Sequence, residues 1–143
     1  MTADINGIYE IKTEKQMESL GKKIASKLVG GEVILLTGEL GAGKTVFSKG
    51  LAKGLGITAP VVSPTFTIMN EYFGNIKFCH FDAYRLVDSD EAYAAGLGDF
   101  IGDKDTVCAV EWWENIKDMF DGLKTIHVRI DKTAVGREVT VTL

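Results

Sequence analysis

The segment GELGAGKT at residues 38–45 limits the possible folds of this chain more than any other stretch of the sequence. It fits the pattern G-x-x-x-x-G-K-[ST] at every fixed position. In such a segment, small residues let successive backbone N–H groups turn toward one anion, while Lys44 reaches the terminal phosphates and the Thr45 hydroxyl can ligate Mg²⁺. The pattern predicts a nucleotide-phosphate site formed by Gly38, Glu39, Leu40, Gly41, Ala42, Gly43, Lys44 and Thr45.

The sequence on either side of this segment supports the same interpretation. Residues 32–37, EVILLT, form a short apolar run of the kind found in buried strands, and residues 44–55 carry Phe47, Leu51 and Leu55 at helical spacing. A strand, a glycine loop and a helix are the setting that the pattern requires, because the helix N-terminus adds free N–H groups and partial positive charge. This setting argues against the alternative, a glycine-rich turn that binds nothing.

The rest of the chain predicts an alternation of helices and strands. We expect helices over residues 13–29, 44–55 and 89–96, and strands over residues 32–37, 66–72, 76–82, 106–110, 124–131 and 137–143. The strand pairs around residues 74–75 and around Gly136 alternate with the two-residue period of antiparallel hairpins. We therefore predict a single α/β domain over residues 1–143, a mixed parallel and antiparallel sheet flanked by helices, with a helix before the first strand.

Composition and charge disfavour several classes of function. The net charge of −4 provides no broad basic surface, so we expect no DNA binding and no strong autonomous nucleic-acid binding, although a local patch or a partner could still supply such a contact. Cys79 and Cys108 lie in apolar runs, which favours buried reduced thiols over a disulfide, a metal site or a nucleophile. No leader-like or membrane-spanning run is present, and we expect a cytoplasmic protein.

Two acidic residues are candidates for the chemistry. A nucleotide hydrolase needs a carboxylate that holds Mg²⁺ and a group that places the attacking water. Glu111 follows the apolar run VCAV, the form of the second motif in phosphate-loop proteins, and we predict that it serves the metal. Asp82 ends the strand-like IKFCHFD and could orient the water or assist the metal. The alternative for both is a strand-end carboxylate in a helix cap or a salt bridge, which is the commoner case for any acid.

Three further segments carry a resemblance to a known family. SPTFTIMNEY at residues 63–72, HFDAYRL at 80–86 and VEWWEN at 110–115 follow GELGAGKT in the order and approximate spacing of the TsaE family. The chain resembles that family over nearly its whole length, and SPTF and HFD-x-YR are far more specific than the phosphate loop. The family is the bacterial ATPase component of tRNA threonylcarbamoyladenosine biosynthesis.

The resemblance implies an activity, cofactors and partners. It implies a Mg²⁺-dependent ATPase of weak intrinsic activity that acts with the TsaB and TsaD proteins and meets tRNA only indirectly. Carried over by motif, residues 40–45 should bind the ATP phosphates, with Lys44 in a catalytic role. Thr45 and Glu111 should hold Mg²⁺, and Asp82 should be needed for hydrolysis.

Two other segments could contact the nucleotide. Thr13 and Glu14, just ahead of the first helix, match a family position near the nucleotide, and we include Glu14 among the candidate ATP contacts. Ser63 and Thr65 flank Pro64 in a proline-stiffened segment. Hydroxyl groups there could bond the γ-phosphate and release it on hydrolysis, as in a switch segment. A simple turn cap is the alternative, and the sequence does not separate the two.

Other positions of the family motifs lead to structural expectations. We expect His80 to be a hydrogen-bonded strand residue rather than a proton carrier, and Arg85 to be a salt-bridge partner rather than an arginine finger. The family usually has proline where this chain has Trp113, which puts in question the rigidity of the turn at residues 114–115. Trp112 and Trp113 are expected to pack on the core or on a partner rather than on adenine.

Two alternative functions remain at this point. A small-molecule kinase would use the same phosphate loop, but the chain is short and has no arginine-rich lid between Asp82 and Glu111. A GTPase is disfavoured because no Asn-Lys-x-Asp segment occurs. A nucleotide-gated binding module, in which ATP fixes a conformation and hydrolysis is not required, is compatible with the sequence.

Overall fold

The computed structural model describes residues 5–39, 41–64 and 68–143, so the predicted roles of Leu40 and Thr65 lie outside the described residues. The elements, in chain order, are β1 Gly7–Ile11, α1 Glu14–Ala25, β2 Val33–Thr37, α2 Lys44–Gly54, β3 Met69–Tyr72, β4 Lys77–Asp82, α3 Ser89–Ala94, β5 Thr106–Glu111, β6 Thr125–Lys132 and β7 Arg137–Thr142. Short 3₁₀ segments cover Leu97–Asp99 and Trp113–Phe120.

In the described part of the chain, the strands form one mixed sheet in the order β1-β7-β6-β2-β5-β4-β3. Strand β2 pairs in parallel with β5 and β6, and β4 pairs in parallel with β5. The pairs β3/β4, β6/β7 and β1/β7 are antiparallel. The predicted mixed sheet and both predicted hairpins are confirmed. Strand β5 is buried at every position, which explains why its sequence, TVCAVE, reads as an almost continuous apolar run.

The prediction that a helix precedes the first strand is wrong. Strand β1 comes before α1 and pairs with β7 alone, at the edge of the sheet. Ile11 is buried, but Gly7 and Tyr9 are only partly covered, and an apolar residue, Ile8, stands at an outward position that is 70% exposed. The sequence of the strand therefore shows no clear alternation of apolar and polar residues. Its pairing depends on a strand at the other end of the chain, which local periodicity cannot reveal.

Two predicted boundaries also need correction. Helix α1 ends at Ala25 rather than at residue 29. Beyond it, the N–H groups of Lys27 and Leu28 make tighter i→i−3 bonds, and the Glu32 carboxylate accepts those of Val29 and Gly30 at 3.0 and 2.8 Å. Strand β3 begins at Met69 rather than at residue 66; Ile68 has a φ of 66°, and residues 65–67 lie outside the described part.

Several local predictions agree with the structure. The Thr13 side chain accepts the N–H of Gln16 at 3.1 Å, and the Asp88 side chain caps α3 by accepting the N–H of Glu91 at 3.0 Å. Gly56, with a φ of 84°, follows the end of α2. The thiols of Cys79 and Cys108 are free and buried, as predicted. The two residues lie opposite each other in the parallel pairing of β4 and β5. The adjacent Cys79 thiol and burial both raise the pKa of Cys108.

The sheet is covered differently on its two faces. Helices α1 and α2 pack on the face that carries Ile34 and Leu36, while α3 and the 3₁₀ segments pack on the face that carries Val33 and Leu35. Among the described residues, no helix combines the length and the apolar character needed to cross a membrane.

Glycines allow α1 and α2 to approach closely. A Cβ added at Gly50 would lie 2.1 Å from the Glu18 carbonyl oxygen, and one added at Gly21 would lie 2.5 Å from the Phe47 carbonyl oxygen. Since both obstacles are backbone atoms, any larger residue would push the helices apart. The contact fixes α2, the helix that follows the phosphate loop, against the rest of the domain.

Candidate active site

A cavity of about 750 Å³ lies where β2, β4 and β5 end. Ligands of open α/β sheets usually bind at the carboxyl ends of the parallel strands. Every predicted site residue that the structure describes lines this cavity, namely Glu14, Gly38, Glu39, Gly41, Ala42, Gly43, Lys44, Thr45, Asp82 and Glu111. Thr13 and Ser63 line it as well.

The phosphate loop has the backbone conformation that its glycines permit. Gly41 and Gly43 have φ values of 79° and 112°, in the left-handed region that residues other than glycine rarely adopt. A Cβ at Gly38 would lie 2.9 Å from the Ile130 carbonyl oxygen. Helix α2 begins directly after the loop, so its unpaired N–H groups and the positive end of its dipole are available to an anion there.

An ion pair and a buried histidine fix Glu111. Lys44 Nζ lies 3.2 Å from Glu111 Oε1, and His80 Nε2 donates a hydrogen bond to Glu111 Oε2 at 2.8 Å. Burial alone would raise the pKa of Glu111. The hydrogen bond and charge of His80, together with Lys44, lower the pKa by more than burial raises it, so the net pKa falls below its usual range. The carboxylate is therefore ionised at neutral pH.

The position of His80 follows from strand alternation. Phe78 and Ala109 pack under α1 and α2, so His80, Asp82 and Glu111 point to the same face. His80 is fully buried, and its Nδ1 has no hydrogen-bond partner within the described residues. The expectation of a hydrogen-bonded strand residue is confirmed, but the sequence did not predict that its partner would be Glu111.

Asp82 lies beside Glu111. The two residues are opposite each other in the parallel pairing of β4 and β5. Asp82 Oδ1 accepts the N–H of Tyr84 at 3.0 Å, which fixes the direction of the carboxylate. Part of the strand-end interpretation thus holds, since Asp82 does stabilise a local turn. It does so at the edge of the cavity, next to the second acid.

The side chains around the cavity offer some of the ligands of a Mg²⁺ ion but not a complete set. Thr45 and the carboxylates of Asp82 and Glu111 offer oxygen atoms, the ligands that Mg²⁺ prefers. Within the described residues, no group of three or more acidic, histidine or cysteine side chains could hold a metal ion by itself. This set suits a Mg²⁺ ion that keeps several waters and shares its coordination with nucleotide phosphates.

Arg137 is a cavity residue that sequence reasoning missed. It begins β7, and its guanidinium contacts the carbonyl oxygens of Gly41 and Ala42. The nearest signal in the sequence was the turn at Gly136, which indicates a hairpin but not a contact with the phosphate loop.

The two tryptophans have different surroundings. Trp112 has a φ of 55°, lines the cavity and lies 4.9 Å from the Tyr84 ring, measured between centroids. Trp113 packs on the opposite face, where its Nε1 donates to Thr37 Oγ1 at 3.0 Å. The expected core packing is confirmed for Trp113. Asn115 Nδ2 donates to the Ala83 carbonyl oxygen at 3.0 Å, so the turn is tied to the end of β4 without the family's usual proline.

Arg85 is exposed and is not among the described residues that line the cavity. The expectation that Arg85 is a salt-bridge partner rather than an arginine finger stays a prediction.

Comparison with known proteins identifies the family. Residues 11–139 match the family described as "Threonylcarbamoyl adenosine biosynthesis protein TsaE". The chain belongs to the TsaE family. The resemblance inferred from the motifs is confirmed, and the matched range contains the phosphate loop, both strand-end acids and Arg137.

Individual TsaE proteins align with most of the chain. The Streptomyces coelicolor protein is 39% identical over 137 residues, 88% of this chain and 89% of the relative, and the Treponema pallidum protein is 37% identical over 122 residues, 85% and 89% of the two chains. The Nostoc relative is 45% identical, and the alignment spans only 62% of its length. All three are called tRNA threonylcarbamoyladenosine biosynthesis protein TsaE.

A solved structure has the same fold. The crystal structure of Bacillus subtilis YdiB superimposes with a TM-score of 0.79 at 32% sequence identity, covering 94% of this chain and 83% of that one.

Proposed function

We propose that this TsaE-family protein binds ATP together with Mg²⁺ and hydrolyses it in support of threonylcarbamoyladenosine formation on tRNA. The observation that carries the proposal is the convergence of Lys44, Asp82 and Glu111 beside the phosphate loop in one cavity. The names of the relatives supply the pathway. We further propose that the protein works in the cytoplasm with TsaB and TsaD and meets tRNA through them.

Nucleotide binding would require an exchange of partners at Lys44. Its ammonium group is paired with Glu111 in the structure, 3.2 Å away, and phosphates carry more negative charge than one carboxylate. Lys44 would therefore move to the β- and γ-phosphates and leave Glu111 Oε1 available. Thr45 and Glu111 are the residues that would hold Mg²⁺, which when bound would neutralise charge on those phosphates.

Asp82 and His80 would have separate roles in hydrolysis. The Tyr84 N–H fixes the Asp82 carboxylate at the cavity edge, where it can accept a hydrogen bond from a water and orient it toward the γ-phosphate. His80 keeps Glu111 in place through Oε2 after Lys44 has left. Because phosphoryl transfer depends mainly on positioning and charge stabilisation, a strong base is not needed.

The arrangement of cations supports weak activity in the isolated protein. Among the described residues that line the cavity, Arg137 is the sole arginine, and its guanidinium is bonded to loop carbonyls. Lys44 and the loop N–H groups would then be the main stabilisers of transition-state charge. A partner could add an arginine in trans, which typically accelerates such reactions by about 10³- to 10⁵-fold.

The test is Mg²⁺-dependent ATP hydrolysis by the pure protein, alone and with TsaB and TsaD. We expect the partners to raise the rate, and we expect Lys44→Ala and Glu111→Ala to remove that activity. Lys53→Ala is the matched control, because Lys53 pairs with Glu18 on the helical surface rather than in the cavity. If the partners neither bind nor change the rate, the proposal is wrong, and phosphate transfer to small hydroxyl acceptors should be screened instead.

A further inference from the structure

Arg137 connects β7, the last strand in chain order, to the phosphate loop. Its Nε donates to the Ala42 carbonyl oxygen at 2.9 Å, and its Nη2 donates to the Gly41 carbonyl oxygen at 3.2 Å. Its Nη1 donates to the Gly136 carbonyl oxygen at 3.0 Å. One guanidinium thus holds two consecutive carbonyls of a segment that lies 95 and 96 residues earlier in the chain.

These carbonyls are the groups that a phosphate-binding loop has to turn away from its ligand. When successive N–H groups converge on an anion, the carbonyls between them point outward and need donors of their own. Ala42 is fully buried, so water cannot readily serve its carbonyl. Arg137 supplies a charged donor at that place, and hydrogen bonds of this kind are stronger than neutral ones.

The loop needs such support because of its glycines. Gly41 and Gly43, on either side of Ala42, have φ values of 79° and 112°. Glycine loses more conformational freedom on ordering than any other residue, so a loop built this way is costly to hold in one conformation. A rigid planar guanidinium bonded to two adjacent carbonyls restricts that freedom before a ligand arrives, which favours binding.

We propose that Arg137 is a positioning residue of the nucleotide site: by holding the Gly41 and Ala42 carbonyls, it keeps the loop of the nucleotide-free protein in the conformation that receives the phosphates. The inference rests on the proposed ATP binding and deepens it. A purely structural role, in which Arg137 only braces the start of β7, would reduce stability without changing nucleotide affinity.

Lys132 provides a matched control. It lies directly opposite Arg137 in the pairing of β6 and β7, and its Nζ is 3.4 Å from the place where a Cβ on Gly41 would lie. Lys132→Ala therefore removes one positive charge from the same region without removing the two carbonyl hydrogen bonds. Arg137→Lys keeps the charge but cannot reproduce the fork that bonds both carbonyls.

The experiment measures the dissociation constants of ADP and ATP by calorimetry for the wild type and the three variants. We expect Arg137→Ala to weaken both nucleotides by about 10- to 100-fold, as the loss of charged hydrogen bonds at a binding site typically does. Arg137→Lys should be intermediate, and Lys132→Ala should stay within about twofold of the wild type. Equal affinity in the wild type and both Arg137 variants, or a loss no larger than that in Lys132→Ala, would overturn the inference.

A second readout covers the case in which Arg137→Ala does not fold. Amide hydrogen exchange at Gly41, Ala42 and Gly43 in the nucleotide-free protein should be faster in Arg137→Lys than in the wild type, because the loop is less ordered. Unchanged exchange together with unchanged affinity in Arg137→Lys would contradict the positioning role. If the wild type binds neither ADP nor ATP, or if Lys44→Ala binds them as tightly as the wild type, the proposed function itself has failed.

Discussion

Replacing Glu111 by glutamine should tighten ATP binding in the absence of Mg²⁺ while abolishing hydrolysis. Lys44 Nζ and Glu111 Oε1 are 3.2 Å apart, and both side chains are largely buried, with exposed fractions of 14% and 9%. At an effective dielectric constant of about 20, their gross attraction is about 5 kcal/mol. Desolvation offsets much of it, and a charged hydrogen bond contributes about 1.5 to 3 kcal/mol net.

When ATP binds and Lys44 moves to its phosphates, the net attraction between Lys44 and Glu111 has to be broken. A glutamine carbonyl can still accept the hydrogen bond from His80, but it no longer holds the ammonium group as an ion pair. Removing about 1.5 to 3 kcal/mol of competition corresponds to a dissociation constant about 10- to 150-fold lower. With Mg²⁺ present the gain should shrink, because the substitution also removes the carboxylate that we propose as a metal ligand.

The assay is a calorimetric titration of ATP in EDTA and in Mg²⁺, combined with single-turnover hydrolysis. Glu114→Gln is the matched control, because Glu114 is exposed and lies on the adjacent turn outside the cavity. Glu111→Gln also removes charge repulsion on the phosphates, so the same substitution should be measured in a Lys44→Ala background. A gain of equal size in that background would refute the exchange at Lys44, and no gain in EDTA would refute the competition altogether.

Three other predictions concern catalysis, pH and packing. Asp82→Asn should lower the hydrolysis rate about 100-fold or more while leaving the ATP dissociation constant within about threefold; a drop in affinity without a drop in rate would contradict a water-orienting role. Folding lowers the pKa of Glu111 below its ordinary value of 4.5. The ionised carboxylate therefore contributes its full stabilisation above pH 4.5, and that contribution is lost as the pH falls through the lowered pKa. In urea denaturation, the stability advantage of the wild type over Glu111→Gln should therefore shrink from about pH 5 to pH 3, and an advantage that grows with acidity would contradict this sign. Gly50→Ala should reduce the free energy of unfolding by about 1 to 3 kcal/mol, because the Cβ would meet the Glu18 carbonyl at 2.1 Å, whereas Lys49→Ala on the exposed side should change little. An alanine at residue 50 that leaves unfolding unchanged would show that the two helices can separate freely.

The parts of the fold that the sequence predicted are those that depend on local patterns. The phosphate loop, the buried strands β2 and β5, and the two hairpins each have their signal within one short segment. Strand β1 was missed because it is an edge strand with an exposed Ile8, and its pairing depends on β7 at the far end of the chain. The end of α1 was misplaced because the apolar helical spacing continues to Leu28, whereas the backbone changes to i→i−3 bonds after Ala25.

In the candidate site, too, the residues with a local sequence signal could be predicted, and the contacts made between distant segments could not. Lys44, Asp82 and Glu111 could be proposed from their positions after a glycine loop and at strand ends, and the cavity brings them together. The partners that fix them could not be predicted. The bond from His80 to Glu111 depends on the register of β4 and β5, and the bonds from Arg137 depend on the approach of β7 to the loop. Both are products of tertiary packing and leave no trace in local spacing.

The most direct test of the proposed function is threonylcarbamoyladenosine formation on tRNA in a reconstituted reaction with TsaB and TsaD, followed over many turnovers. We predict that the wild-type protein sustains formation with ATP. Lys44→Ala and Asp82→Asn should not raise it above the level seen without the protein, while Lys53→Ala should behave as the wild type. Full support of many turnovers by Asp82→Asn, under conditions in which that variant hydrolyses no ATP, would contradict the account and favour a nucleotide-gated binding module.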